Sequence, residues 1–295
     1  MKFNYLNQVW HNKSERLSLL KWMIIFMVAV FTLVNPAVAQ KKIYVTTDLE
    51  GISGVFKFAQ TREKDTPLNI QACEFFMGDV AAVIHGLRDG GATEIIIQDG
   101  HGTQAVLPQL MDPGATYITG NPKPGPGNLY GLDSTFVGFV MVGFHAMMGT
   151  PDGVLNHTQS SKTEHRYWYN GVESGELAQN SAIAGYFNVP LIMVTGDVAT
   201  CREAHTFFGN NLVTVAVKKG LSRESAILYP FEQTRKALYE GAKRAMAAIP
   251  KCKPYKLKEP INVKKQWLDL NSTLPQPKIM TKEGTVPDAK HILDF

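Results

Sequence analysis

Lys42-Ile43-Tyr44-Val45-Thr46-Thr47-Asp48-Leu49-Glu50-Gly51 is the stretch that decides how this chain reads. An apolar, β-prone run stops on two carboxylates one residue apart. In an extended strand, side chains at i and i+2 share a face. Asp48 and Glu50 are therefore expected to project together from the strand's carboxyl end. Like charges that close repel unless a cation or a proton lies between them. Gly51 and Gly54 let the chain turn away with no side chain in the way.

The arrangement recurs twice. Glu94-Ile95-Ile96-Ile97-Gln98 is a β-branched run that ends in Asp99-Gly100-His101-Gly102. A third run, Phe136 to Phe144, ends in His145. In open α/β sheets, ligands bind at the carboxyl ends of the strands. Asp, Glu and His gathered there suit zinc or a similar divalent ion. One such residue alone would read as an ordinary loop residue. Three glycine-flanked strand ends in parallel point to a metal site.

The segments between these runs set the fold class. Cys73, Phe76, Met77, Val80, Val83, Ile84 and Leu87 recur at helical spacing and form one apolar stripe, ended by Asp89-Gly90-Gly91. A helix between two strands makes those strands parallel. Gly120 to Gly127 is a rigid, turn-rich loop. Asn170-Gly171, between Arg166-Tyr167-Trp168-Tyr169 and Val172, signals a hairpin. Ser174 is the expected N-cap of a helix through Tyr186, which places Glu176 in the first turn beside the positive end of the helix dipole. Pro190 to Val194 and Leu212 to Val217 read as strands, and Gln233 to Ile249 as a helix. Beyond Pro250, Ile261 to Val263 and Trp267 to Leu270 are candidate short strands. The whole predicts an α/β fold: a three-layer α/β/α core with a largely parallel sheet, a metal site at the strand carboxyl ends, and a smaller α+β portion.

Composition narrows the function classes. With 44 % hydrophobic residues and a net charge of +4, the chain has a globular profile. It lacks the basic block with interleaved aromatics that nucleic-acid binding would favour. Cys73, Cys201 and Cys252 are scattered, so at most one disulfide can form. At the N-terminus, Lys13, Arg16 and Lys21 precede an apolar run from Trp22 to Val34, then Pro36-Ala37-Val38-Ala39. That is the order of a secretory signal peptide over residues 1–39, cleaved after Ala39. The expected location is periplasmic or secreted, with an uncleaved anchor as the alternative.

The motifs Asp48-x-Glu50-Gly51-x-x-Gly54, Asp99-Gly100-His101, Gly143-Phe144-His145-Ala146, Asn156-His157 and Gly175-Glu176-Leu177 resemble, in order and spacing, those of the zinc-dependent D-aminopeptidases (the DppA-like peptidases, family M55). The resemblance runs from about Lys42 to about Pro250. It implies a dinuclear zinc site, two ions per chain, held by Asp48, Glu50, His101, His145 and Glu176, with His157 as a catalytic histidine. It also implies a ring-like homo-oligomer that cleaves peptides with an N-terminal D-amino acid. Against the family pattern, Asp152 is an inserted residue and the segment 160–166 is unusually polar. The resulting division is a signal peptide at 1–39, a catalytic region at 40–250, and a C-terminal segment at 251–295 packed on it.

Two close divalent ions can share a carboxylate, and Asp48 is the expected bridge. His157 would donate a proton to the leaving amine or stabilise the oxyanion. Asp99 is a candidate to orient His101, or else a turn aspartate. Trp168 and Tyr169 would line a substrate pocket or simply pack. Asp197, ending a strand, is a further candidate neighbour of the site. His85, His165, His205 and His291 read as surface residues. Two other functions share these residue types: an extracytoplasmic metallophosphatase, for which no basic residue near the site stands out, and a secreted binding module with a structural metal.

Overall fold

The computed structural model describes residues 40–271 and 276–295, with 17–18 and 21–23 besides. The proposed leader and its cleavage point lie largely outside the described residues. Residues Gln40–Phe295 form one compact unit.

The first strand, β1 (Lys42–Thr47), leads through a loop to helix α1 (Pro67–Asp89), then β2 (Glu94–Asp99) and β3 (Thr116–Ile118). The chain crosses to β4 (Phe136–Val142), makes the hairpin β5 (Arg166–Tyr169) and β6 (Val172–Glu173), and enters α2 (Glu176–Tyr186). Then follow β7 (Leu191–Asp197), α3 (Val198–Phe208), β8 (Val213–Ser222), β9 (Ser225–Leu228) and α4 (Phe231–Ala248). Strands β10 (Ile261–Asp269) and β11 (Lys278–Val286) close the order.

Seven strands form one sheet in the order β3-β2-β1-β4-β7-β8-β9, parallel except for β9. Side chains of β1 alternate between its faces. Ile43 and Val45 join the core under α1 and α4. Tyr44 joins the core under α2, together with Tyr169, Ile261 and Val263 of the second sheet. This is the α/β/α layering the sequence implied. Burying each large apolar side chain contributes about 1.5–3 kcal/mol, and the α1 stripe from Cys73 to Leu87 is buried throughout. Thr66 caps α1 by accepting from the Asn69 amide at 3.2 Å.

The smaller portion centres on a four-stranded antiparallel sheet in the order β11-β10-β5-β6. Its hairpin turns at Asn170 and Gly171, with φ of 50° and 85°, the left-handed pair of a type I′ turn. Here the tail departs from the sequence reading: the two short strands are one nine-residue strand, β10. The lysines between them stack on hairpin aromatics. Lys264 Nζ lies 5.0 Å from the Trp168 ring centroid and Lys265 Nζ lies 5.5 Å from that of Tyr167.

Register positions the site. Thr47 of β1 pairs with Asp99 of β2 on one side and Val142 of β4 on the other. The three strands therefore end level. Chain order reverses between β1 and β4, which is the topological switch point where α/β sheets open a crevice.

Candidate metal centre

Asp48 and Glu50 leave β1 through a tight turn rather than by simple strand alternation, and they still converge on His101. His101 Nδ1 lies 2.9 Å from Asp48 Oδ1 and 3.1 Å from Glu50 Oε2. His145, beyond β4, places Nε2 3.3 Å from Asp48 Oδ2 and 3.6 Å from Glu176 Oε1. His157 stacks on His145 with centroids 4.0 Å apart, its Nε2 3.9 Å from Glu176 Oε1. All six sequence-selected residues thus meet in one place. Asp48 sits at the middle, one oxygen toward each of two imidazoles.

The histidine tautomers follow from their partners. A backbone carbonyl can only accept, so the ring nitrogen facing it carries hydrogen. His101 Nε2 faces Thr61 O at 3.0 Å, His145 Nδ1 faces Ala146 O at 3.0 Å, and His157 Nδ1 faces Leu155 O at 2.8 Å. Each ring then turns its other nitrogen toward carboxylates. That nitrogen must either bear a second proton or look at a cation. Carbonyl-anchored imidazoles facing carboxylates are the usual surroundings of a bound metal.

Two buried atoms point the same way. Glu50 Oε2 and His145 Nε2 have no hydrogen-bond partner among the described residues, and leaving such groups unsatisfied costs about 1–3 kcal/mol each. Possible ligand atoms lie within 4.8 Å of one another in two groups, Asp48–Glu50–His145 and His145–His157–Glu176. With oxygen and nitrogen donors and no thiolate, the set fits zinc of a catalytic type.

Electrostatics express the same crowding. Burial would raise Asp48, but its hydrogen bond to His101 and the close approach and charge of His145 outweigh that and hold it far below the usual carboxylate range. Glu50, also opposed by burial, is lowered by the charge of His101. Burial works against protonated His101 and His145 too, yet the facing carboxylates win, lifting His101 well above its ordinary value and His145 to about 10. Burial and the neighbouring His145 charge push His157 down to about 3. Burial pushes Glu176 up to about 7.

Several supports were not legible in sequence. Lys218 of β8 is fully buried, and its Nζ donates to the carbonyls of Glu50, Ile52 and Val55 at 2.6, 2.8 and 2.5 Å. Burial pushes this lysine down to about 8. Its signal was its place at the level of the other strand ends, one residue past an apolar run. The Gln159 amide donates to Glu176 Oε1 at 2.6 Å. Glu203 Oε2 accepts the Met147 amide at 2.8 Å and so fixes the segment after His145.

Other expectations are corrected. Asp99 does not orient His101; its Oδ2 accepts the amides of Ala105 and Val106 and the Thr119 hydroxyl, as a loop anchor. Ser174 does not cap α2. The cap position is Gly175, where a Cβ would strike Met147, and Ser174 Oγ donates to Val172 O instead. Asp197 caps α3 through the Thr200 amide and holds the Val154 amide at 2.7 Å, steadying the loop that carries His157. Asp152, read from the sequence as an insertion, turns outward to pair with Arg202, and His157 lies in the cluster. Tyr169 is buried against Gln179, so it packs rather than lines the site. His85 is exposed, whereas His165 is part-buried beside Tyr167 and Trp267.

A cavity of about 660 Å³ opens over the cluster, lined also by Arg62, Asn121, Lys123 and Lys162. The basic residues missing from the sequence reading are therefore present. The volume suits a small ligand of a few residues.

Residues 41–273 match the peptidase M55 family, described as D-aminopeptidase. A D-aminopeptidase of Bacillus subtilis (strain 168) is 31 % identical over 217 residues, covering 72 % of this chain and 76 % of that protein. The zinc-dependent D-aminopeptidase DppA from Bacillus subtilis, described as a self-compartmentalizing protease, superposes with a TM-score of 0.78 at 25 % identity, over 86 % of this chain and 94 % of that one.

Proposed function

The chain belongs to the D-aminopeptidase family and is a metallo-aminopeptidase, and we propose that it is an exported dinuclear zinc enzyme that removes N-terminal D-residues such as D-alanine from short peptides. The observation that carries the metal reading is the set of carbonyl-anchored imidazoles turned toward three carboxylates, two of them buried. Asp48, Glu50, His101, His145 and Glu176 would hold two ions, with Asp48, which faces both His101 and His145, at the middle of the set. When bound, such a pair polarises the scissile carbonyl and makes water acidic enough to attack near neutral pH.

The protein's own groups do the rest. Asp48, Glu50 and Glu176, once they hold the ions, fix the end of the cavity at which the substrate's amino-terminal residue and scissile carbonyl must lie. His157 has Nδ1–H tied to Leu155 O, which leaves the Nε2 lone pair free on the side of the site. It can take a proton from the attacking water and return it to the leaving amine. Phe58 closes over its edge at 6.3 Å. The basic–apolar–small order of residues 13–39 supports export to the periplasm or beyond, where peptidoglycan fragments supply D-residues. A homo-oligomer is proposed because the DppA relative is described as self-compartmentalizing.

The test compares D-Ala-D-Ala, L-Ala-L-Ala and a phosphate monoester, with metal analysis before and after chelation. Chelator-sensitive cleavage of the D,D-peptide, about two metal equivalents per chain, and a mature N-terminus at Gln40 are expected. Faster turnover of the L,L-peptide or of the ester would overturn the substrate assignment, and a full-length N-terminus would overturn cleavage.

A further inference from the structure

Apart from the six clustered residues, every charged side chain lining the cavity is basic: Arg62, Lys123 and Lys162. Arg62 is already engaged, donating from Nε to Ser161 Oγ at 2.9 Å and from Nη2 to Ser161 O at 2.8 Å, with its guanidinium 3.5 Å from the Phe58 centroid. Lys162 is exposed.

Lys123 differs from both. It is 6 % exposed, yet its Nζ makes one hydrogen bond, to Asn121 Oδ1 at 3.1 Å, and no ion pair among the described residues. An ammonium has three donors, and a buried one without a counter-charge is unfavourable. The carboxylate whose charge reaches it is Asp99, whose Oδ2 is already taken by two amides and a hydroxyl. Asn121 fixes its position. The same amide donates from Nδ2 to Gly102 O at 3.1 Å, tying the Lys123 loop to the residue after His101. The cavity thus has a metal-binding wall and, apart from it, a desolvated cation with donors to spare.

A short peptide whose amino end is at the metal-binding wall carries its free carboxylate at the opposite end. We infer that Lys123 is a specificity-determining residue that binds the free C-terminal carboxylate of a short peptide whose amino end lies at the Asp48–Glu176 cluster. The inference rests on the aminopeptidase reading and adds that the substrate must end inside the cavity. A carboxylate meeting a buried ammonium forms a charge-assisted hydrogen bond.

The experiment measures kcat and KM for D-Ala-D-Ala, for its C-terminal amide, and for the C-terminal amide of D-Ala-D-Glu, whose only carboxylate is on the side chain. For the wild type, kcat/KM is expected to favour the free acid by about tenfold or more, chiefly through KM. Lys123→Met should bring the acid-to-amide ratio toward one, and Lys123→Arg should restore part of it. A thermal melt of each variant separates this from misfolding, and the wild-type ratio tests the inference even if Lys123→Met does not fold. Equal turnover of acid and amide by the wild type, or an unchanged ratio in a folded Lys123→Met, overturns the inference while leaving the aminopeptidase intact. Recovery of the rate by the side-chain carboxylate overturns the assignment to the C-terminus. If no peptide is cleaved, the aminopeptidase reading itself fails and the inference falls with it.

Discussion

Gly51 and Gly143 lock two loops together backbone to backbone: the Gly51 amide donates to the Gly143 carbonyl at 2.7 Å. A Cβ on Gly51 would collide with the carbonyl oxygen of Phe144, and one on Gly143 with that of Asp48. The glycine after Glu50 is therefore there for close approach as much as for turning. Gly102, by contrast, has open space where a Cβ would go. Gly51→Ala should cost about 3 kcal/mol or more and lose metal, whereas Gly102→Ala should stay within about 0.5 kcal/mol. Denaturant unfolding with metal analysis of both variants checks this; equal stability of the two would refute it.

The stacked pair His145 and His157 should separate metal binding from turnover. His145 touches both Asp48 and Glu176, so His145→Ala should lose at least one ion and its activity together. His157→Ala should keep its metal and lose about a hundredfold to ten-thousandfold in kcat. Metal loss from His157→Ala would instead make His157 a ligand, as its grouping with His145 and Glu176 permits.

Lys218→Met should leave three buried carbonyls without a donor, at about 1–3 kcal/mol each. A Tm drop of roughly 6 °C or more is expected for a chain of this size. Because one of those carbonyls belongs to Glu50, zinc affinity should fall as well. A variant with unchanged Tm and unchanged zinc affinity would show that Lys218 holds nothing.

Glu203 gives a pH signature. Burial pushes its carboxyl up from 4.5 to about 7, so the folded chain holds this proton more tightly than the unfolded chain. Its contribution is fully present below pH 4.5 and is lost as pH rises through about 7. Glu203→Gln keeps an acceptor for the Met147 amide and has no proton to lose. On chelated protein, the wild-type Tm should fall relative to Glu203→Gln between those pH values, by roughly 5–10 °C. Parallel Tm curves would rule the effect out.

The clustered residues were legible because each residue, or pair of residues, is a local event. A β-branched run followed by an acid or histidine and a glycine marks a strand's carboxyl end, whichever strands surround it. The hairpin at Asn170-Gly171 and the α1 stripe were readable for the same reason. Strand β10 was not, since its lysines gain their place only by lying over aromatics of another strand. Ser174 was misjudged and Asp99 left open, because a serine before a helix and an acid beside a histidine each admit two local roles, and distant neighbours choose between them.

From the sequence alone came the α/β class, the six site residues and the polarity of the leader. These depend on side-chain type and on periodicities of two and 3.6 residues, which short segments carry by themselves. Only tertiary structure decided that Thr47, Asp99 and Val142 lie level, that Lys218 of β8 reaches the Glu50 turn and holds it, and that Lys123 is buried with no ion pair among the described residues. Those relations join residues far apart in the chain, and whether a lysine is solvated or desolvated is set by the atoms folded around it, which no local pattern records.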